Sequence, residues 1–529
     1  MSEQGAVVDC SLSFPQPSSV DCREQSLNNS LMTQASIRNP QRKSLEQLVF
    51  DNSFSRLSDA FYSYQDTEPF ETQYLVSFNA AAAELIDLHP QQAERDDFTD
   101  IMTARKALPG FQPLAACYSG HQFGHYVPRL GDGRAILLGE VLNEAGEKWD
   151  LQLKGGGATP YSRSGDGRAV LRSTIREYLC SEAMHALGIP TTRALCIIGS
   201  DDEVYREQIE TGAMLIRMAP SHVRFGSFEY FYYTRQHDLL KVLANYVIDQ
   251  HYPELREHGE PYLALLQQSI RNTAEMIAGW QAVGFAHGVM NSDNMSIHGI
   301  TLDYGPFGFL DGFDQKFICN HSDHHGRYAF DQQPNIGGFN VSCLAQAMLP
   351  LLHDEPEEAA EIAMHALQDY QQHFVRRYNE LMRAKLGLYS SQEHDVTLIN
   401  HLLSLMQSEH TDYTIFFRRL STGDPQLRDL FIDRDAFDRW QHGYQQRLEV
   451  EAMDTQQRLA AMRSVNPKYI LRNYLAEVAI RKAADDKDYS ELNRLLDCLQ
   501  NPFDEQPDNE AYAGFPPHWA GSIEVSCSS

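Results

Sequence analysis

No stretch of this chain approaches the roughly 18 consecutive apolar residues that a membrane-spanning helix requires, so no such helix is expected. Basic residues are scarce too: 44 Lys and Arg face 72 Asp and Glu, for a formal net charge of −28. That balance argues against a general nucleic-acid binder, whose footprint is a basic patch or stripe. It leaves room for a local cationic pocket around a nucleotide. Cysteine is sparse and unpatterned. The nine cysteines include no C-x-x-C pair and fall far below the density of a disulfide scaffold, which points to a reducing compartment. The first residues contain Glu3, Asp9, Asp21 and Glu24 and no apolar core segment, so neither a secretory signal nor an Arg-rich transit peptide fits. A cytoplasmic location is the expectation. What remains is an ordinary globular composition, 42% hydrophobic and 22% charged, in a chain of 529 residues that is long enough for two or more lobes.

Residues 1–43 are rich in Ser, Gln and Asn without periodicity and read as a disordered tail. Order is expected from Ser44, a plausible helix cap ahead of an apolar pattern. The span 44–230 is expected to form one lobe with nucleotide-binding loops, strand-rich from about 130 to 220. Within it "RAILLGEVL", "NEAG" and "EKWDLQLK" form a hairpin pattern, with Trp149, Leu151 and Leu153 on one face and Gln152 and Lys154 on the other. Leu171, Ile175, Tyr178, Leu179 and Leu187 then recur at helical spacing before Gly188 and Pro190, and "RALCIIG" and "GAMLIRMA" suggest further antiparallel strands. From 231 to 500 the patterns are helical, among them one over Met364, Leu367, Tyr370, Phe374, Tyr378 and Leu381 that stops at Gly387. Residues 501–529 read as an irregular tail ending in Cys527-Ser528-Ser529. A β-rich half ahead of a helical half is the lobe order of a protein kinase. The fold class expected is α+β: a kinase-like bilobal fold with a β-rich N-lobe over 44–230, a helical C-lobe over 231–500 and additional C-terminal helices.

One further absence is local. The stretch "HGVMNSDNMSIHGITLDYG", residues 287–305, follows the kinase pattern in which a His is followed seven positions later by an Asn and then by D-F-G. His287, Asn294 and Asp303-Tyr304-Gly305 fill those places, but the position of the proton-accepting Asp holds Val289. Asn294 and Asp303 offer an amide oxygen and a carboxylate, hard ligands suited to Mg²⁺ or Mn²⁺ beside a nucleotide. Polar loop residues with turn roles are the bland alternative, and the register with His287 favours ligands.

Lys154 ends a strand pattern and Glu177 lies in the following helix, which is the topology of the kinase lysine and its orienting glutamate. The string GDGRA occurs twice, at 131–135 and 165–169. Each can form a backbone anion nest with an adjacent guanidinium, although neither has G-x-G-x-x-G spacing. The second copy lies between Lys154 and the Glu177 helix, where its Asp166, Gly167 and Arg168 could enter the same cleft. Cys319, His321, His324 and His325 resemble a soft-metal cluster by composition, but polar loop composition is the better account.

With "PRLGDGRAILLGE", "LQLKGGGATPYSRSGDGRAVLRSTIREYL", "HGVMNSDNMS", "LDYGPFGFLD", "NPKYILRNYL" and the terminal "CSS", the chain resembles the selenoprotein O family from about residue 45 to its end. Members of that family are kinase-like and transfer AMP to protein side chains, holding ATP inverted relative to a kinase. The resemblance implies ATP as substrate, Mg²⁺ or Mn²⁺ as cofactor, and proteins with Ser, Thr or Tyr hydroxyls as acceptors, with no nucleic acid or membrane partner. It places nucleotide contacts at Gly131, Gly133, Arg134, Lys154, Asp166, Gly167, Arg217 and Arg224. Glu177 matches the partner of Lys154, Asn294 and Asp303 match the metal ligands, and Asp293 matches the proton acceptor. It also makes Cys527 the sulfur counterpart of a selenocysteine and a redox candidate, with a Cys319–Cys527 pairing left open. UMP transfer from UTP, ordinary phosphotransfer and an inactive nucleotide-binding scaffold are the alternatives.

Overall fold

The computed structural model describes residues 42–525. The tail expected over 1–43, apart from its last two residues, and Cys527 lie outside the described residues.

Twelve strands are present among the described residues: β1 (Tyr62–Tyr64), β2 (Tyr74–Phe78), β3 (Leu114–Ala116), β4 (Gly120–Gln122), β5 (His125–Val127) and β6 (Ala135–Leu142), then β7 (Lys148–Lys154), β8 (Ala169–Val170), β9 (Arg193–Tyr205), β10 (Ile209–Ala219), β11 (Phe285–Ala286) and β12 (Gly308–Phe309). An antiparallel sheet runs in the order β1-β3-β6-β7-β10-β9-β2, with β8 paired to β10. The β6–β7 hairpin forms where the sequence pattern places it. Its turn is closed by Asn143, whose Oδ1 accepts from the Glu147 N–H at 2.8 Å, and by Gly146 at φ +82°, a backbone region that favours glycine.

Alternation along the strands separates two environments. Leu151 and Leu153 of β7 and Met214, Ile216 and Met218 of β10 face one apolar cluster, which is completed from the N-terminal side by Leu45, Ile86, Phe98 and Ile101. The two short helices of that segment are α1 (Ala80–Glu84) and α2 (Phe98–Met102). Gln152, Lys154 and Arg217 therefore point to the opposite face. There helix α3 (Leu171–Ala186) buries Leu171, Ile175, Tyr178 and Leu179 against Leu215 and Ile197.

The rest is helical: α4 (Phe225–Tyr233), α5 (His237–His251), α6 (Pro261–Val283), α7 (Gln333–Leu352), α8 (Pro356–Lys385) and α9 (Asp395–Glu409), then α10 (Tyr413–Thr422), α11 (Arg434–Leu448), α12 (Thr455–Arg463), α13 (Asn473–Asp485) and α14 (Ser490–Leu499). The chain is thus a mixed α/β protein with one large antiparallel sheet and many helices. No helix among the described residues is long and apolar enough to cross a membrane. Helix α6 ends at Gly284, φ +73°, and passes directly into β11, whose pairing with β12 draws the segments after residue 286 and before residue 308 together. In α8 the buried stripe runs through Ala359, Ala363 and Ala366, small side chains that admit close packing, to Tyr370, so Met364 is left half exposed on the flank rather than in the core. At its end Lys385 is 4% exposed, with its ammonium 4.3 Å from the Phe417 ring centre and 5.3 Å from that of Tyr413.

Helices α13 and α14 pack on the outer side of α3. Arg176 of α3 donates to the Phe307 carbonyl at 2.8 Å and to Asn473 Oδ1 at 3.3 Å. Past residue 500 the chain is less irregular than its composition implies. It makes two 3₁₀ turns, Pro507–Ala513 and His518–Ser522, anchored by the Tyr512 hydroxyl on Glu491 at 2.6 Å, and the Val525 carbonyl accepts from the His321 N–H at 2.9 Å.

Candidate active site

A cleft of about 750 Å³ lies between the sheet face that carries Lys154 and the segments on either side of the β11–β12 pair. It is lined by seven cationic residues (Arg134, Lys154, Arg163, Arg168, Arg206, Arg217 and Arg224) and four acidic ones, in a protein whose overall charge is −28. Such a local reversal of sign makes the cleft an anion site.

The innermost charges form one network. Lys154 is ion-paired with Glu177, which also accepts from Arg217 Nη1 at 3.3 Å. Arg217 and Arg224, each 2% exposed at the side chain, both bind the Asp303 carboxylate, and Lys154 Nζ lies 3.8 Å from it. Burial alone would raise the Asp303 carboxyl, but Arg217, Arg224 and Lys154 outweigh burial and hold it well below the usual carboxylate range. Burial pulls Lys154 down, with Glu177 opposing. Asp303 has φ +57°, a left-handed conformation that Asp tolerates better than most residues. His287 is structural: its Nε2 lies 2.9 Å from the Leu302 carbonyl and its Nδ1 3.4 Å from the Val289 N–H, which ties the segment before Asn294 to the residue before Asp303.

Val289, which fills the sequence position of the kinase base, lines the cleft, and Asp293 lies in the same cleft. Asp293 is enclosed by β4. Gln122 Nε2 donates to its Oδ2 at 3.2 Å, and a Cβ on Gly120 would come within 2.8 Å of its Oδ1, which is buried without a hydrogen-bond partner. Burial pushes Asp293 up to about 7, against the lowering pull of Gln122 and Arg224. Arg224 also donates to the Asp293 carbonyl at 2.9 Å. Asn294 Nδ2 donates to the Val289 carbonyl at 3.2 Å, which fixes the amide and leaves its oxygen for other use. Asn294 and Asp303 offer an amide oxygen and a carboxylate, hard donors of the kind that would hold a divalent cation beside a phosphate. Among the described residues no group of three or more His, Cys, Asp or Glu is placed to hold a metal ion. A site here would therefore depend on the nucleotide.

The two GDGR strings are used differently. In the first, Gly131 (φ +82°) and Gly133 lie against Tyr161, leaving no space for a Cβ, and Arg134 is exposed at the cleft. In the second, Gly167 (φ +68°) passes so close to the Gly157 carbonyl that a Cβ would lie 1.9 Å from its oxygen. Asp166 at the rim is held by Arg206 at 2.8 and 3.0 Å. All the residues expected from sequence except Glu177 line the cleft, and Glu177 sits behind Lys154. Sequence reasoning missed Arg206, Gln122 and the rim residues Phe123 and Arg163. Arg206 and Gln122 reach their partners across 40 and 171 residues, and neither stands in a pattern that announces it.

The cleft thus gathers a strand lysine backed by a helix glutamate, a carboxylate, an amide and two buried arginines, a set of charges suited to phosphate groups. The family model described as "Protein adenylyltransferase SelO" matches residues 44–500. A protein nucleotidyltransferase YdiU of Thioalkalivibrio sulfidiphilus is 57% identical over 490 residues, covering 92% of this chain and 99% of the relative. Counterparts with the same name from Thiobacillus denitrificans and Myxococcus xanthus are 56% and 53% identical over 492 residues each, again over 92% of this chain and 99% of the relative. The chain belongs to the SelO family and is an enzyme of the nucleotidyltransferase class.

Proposed function

We propose that the chain is a protein adenylyltransferase that moves AMP from ATP to Ser, Thr or Tyr hydroxyls of proteins and releases pyrophosphate, on a kinase-like bilobal scaffold and with Mg²⁺ or Mn²⁺. The observation that carries this reading is the depth order of charge. Lys154, Arg217 and Arg224 are buried at the inner end of the cleft, whereas Arg134 and Arg163 are exposed. The most anionic part of ATP, its β- and γ-phosphates, belongs at the inner end, which leaves the α-phosphate facing outward toward the acceptor. An inverted nucleotide also accounts for Val289, since a base placed for γ-phosphoryl transfer has no use there.

In this reading the Asp293 carboxylate takes the proton of the acceptor hydroxyl, whose oxygen bonds to the α-phosphorus as the bond to the β-phosphate oxygen breaks. The charge that develops on the departing pyrophosphate is stabilised by Lys154, Arg217 and Arg224, already oriented by Glu177 and by the protein backbone. A divalent ion held by Asn294 and Asp303 would neutralise phosphate charge. Gly131, Gly133 and Arg134 would line the nucleotide on one side, and Asp166 and Gly167 on the other.

The test is incorporation of label into protein from ATP marked at the α-phosphate and, separately, at the γ-phosphate, with α-marked UTP in parallel. Label from α-marked ATP alone is expected. Label from the γ-position sinks the adenylylation reading in favour of phosphotransfer, and preferential label from UTP replaces AMP by UMP.

A further inference from the structure

Asp132, the acid of the first GDGR string, has no place in the scheme above, yet its side chain is only 2% exposed in the floor of an anion-binding cleft. Burying a carboxylate beneath a phosphate site is unfavourable unless its charge is used. Its two carboxylate oxygens each lead to one of the inner arginines, and its other contacts tie it to β3 and to Thr159, whose hydroxyl donates to its carbonyl at 2.7 Å. Its Oδ1 accepts from the Tyr118 hydroxyl at 3.2 Å and lies 3.8 Å from Arg224 Nη2, and the Arg224 guanidinium stands 4.8 Å over the Tyr118 ring. Its Oδ2 accepts from the Ala116 N–H at 3.1 Å and from Gln152 Nε2 at 3.3 Å, while Gln152 Oε1 accepts from Arg217 Nε at 2.5 Å. The Asp132 N–H also donates to the Ala116 carbonyl at 2.9 Å, so the residue is pinned to β3 on both sides. The other GDGR acid, Asp166, is nearly half exposed and binds Arg206 at the rim, so the pattern alone does not dictate this role.

We propose that Asp132 is a positioning residue for the phosphate clamp: with Tyr118 and Gln152 it fixes the guanidinium planes of Arg224 and Arg217 on the side away from Asp303. When a triphosphate draws the arginines away from Asp303, the Asp132–Gln152 anchor is what keeps them aimed into the cleft. The inference rests on the nucleotide reading of the site and adds to it a dependence on phosphate-chain length. The arginines meet the inner phosphates, so loosening them weakens ATP and leaves AMP, which has no such phosphates, little affected.

The experiment is calorimetric titration of ATP and AMP, without metal, into the full chain and into Asp132→Asn and Gln152→Ala. Thermal melting serves as the control for folding. Gln152→Ala leaves the buried carboxylate and its β3 anchors in place, so it keeps the test open if the Asp132 variant does not fold. The expected result is a loss of tenfold or more in ATP affinity with AMP affinity within about twofold in each folded variant. In transfer assays the same variants should show the loss mainly in KM for ATP. Equal losses for ATP and AMP, or no loss in a folded Gln152→Ala protein, overturn the positioning role. Failure of the unaltered protein to bind ATP overturns the nucleotide reading instead.

Discussion

Replacing Asp303 by alanine should separate nucleotide binding from transfer. The carboxylate neutralises Arg217 and Arg224, both almost fully buried, and lies 3.8 Å from Lys154. Without it, Glu177 still serves Lys154 and Arg217, but Arg224 keeps only the Asp293 carbonyl at 2.9 Å, Asp132 at 3.8 Å and the Tyr118 ring. Removing one partner of a buried ion pair costs roughly 3–5 kcal/mol. Asp303 is itself 22% exposed at the side chain, so a small anion can partly replace it, and a loss of about 2–3 kcal/mol is the better expectation. Metal-free ATP must displace Asp303 from two arginines in the unaltered protein and nothing in the variant. Recovery of about 2 kcal/mol corresponds to a Kd roughly 30-fold tighter. Melting and calorimetric titration in the presence of a chelator measure both effects, and transfer with Mg²⁺ or Mn²⁺ measures the third. The variant should melt lower, bind metal-free ATP more tightly and transfer nothing. Weaker metal-free binding, or substantial transfer by the folded variant, refutes the reasoning.

Lys385→Met should stabilise the protein most at low pH. Burial lowers the lysine from 10.5 to about 7, so between those values the unfolded chain binds one more proton than the folded one and stability rises with pH. The full penalty, up to roughly 5 kcal/mol less about 1–2 for each aromatic contact, applies below pH 7 and is gone above 10.5. Denaturant melts at pH 6 and pH 9 should therefore show a larger gain for the variant at pH 6, and a gain independent of pH contradicts it. Gly167→Ala puts a Cβ 1.9 Å from the Gly157 oxygen at a left-handed position, so it should cost at least about 2 kcal/mol and weaken nucleotide binding. A neutral effect in melting and titration would show that the loop is freer than drawn. Asp293→Asn should slow transfer about 10²-fold without abolishing it, since base assistance is modest in a loose phosphoryl transition state. Rates equal to those of the unaltered protein would remove Asp293 from the chemistry.

Where the chain's own periodicity decides structure, it was readable. The β6–β7 hairpin follows from alternation around a turn, and α3 follows from an apolar stripe ended by Gly188, so the facing of Lys154 and the helix position of Glu177 were both in reach. Asn294 and Asp303 were readable because a fixed spacing from His287 carries them. Met364 was misread because a helical stripe can be shifted by one residue when alanines make the contact. The N-terminal segment gave little sign that it would cover the second face of the sheet, since its apolar residues sit in short turns without a sustained period. The mutual engagement of Asp303 with Arg217 and Arg224 was out of reach altogether, because it joins a β10 strand residue, a helix-start residue and a loop 79 and 86 residues away.

In protein kinases the helix bearing the orienting glutamate swings in and out, and that swing is a principal switch. Here α3 has no room for such travel. Its outer side is covered by α13 and α14, and Arg176, the neighbour of Glu177, is bonded to Phe307 and to Asn473. Helices α13 and α14 thus act as a doorstop, wedged behind the helix that carries Glu177 to Lys154. Cleavage of the chain ahead of Asn473 would pull the doorstop away, and the cost would be felt in the cleft on the far side of α3.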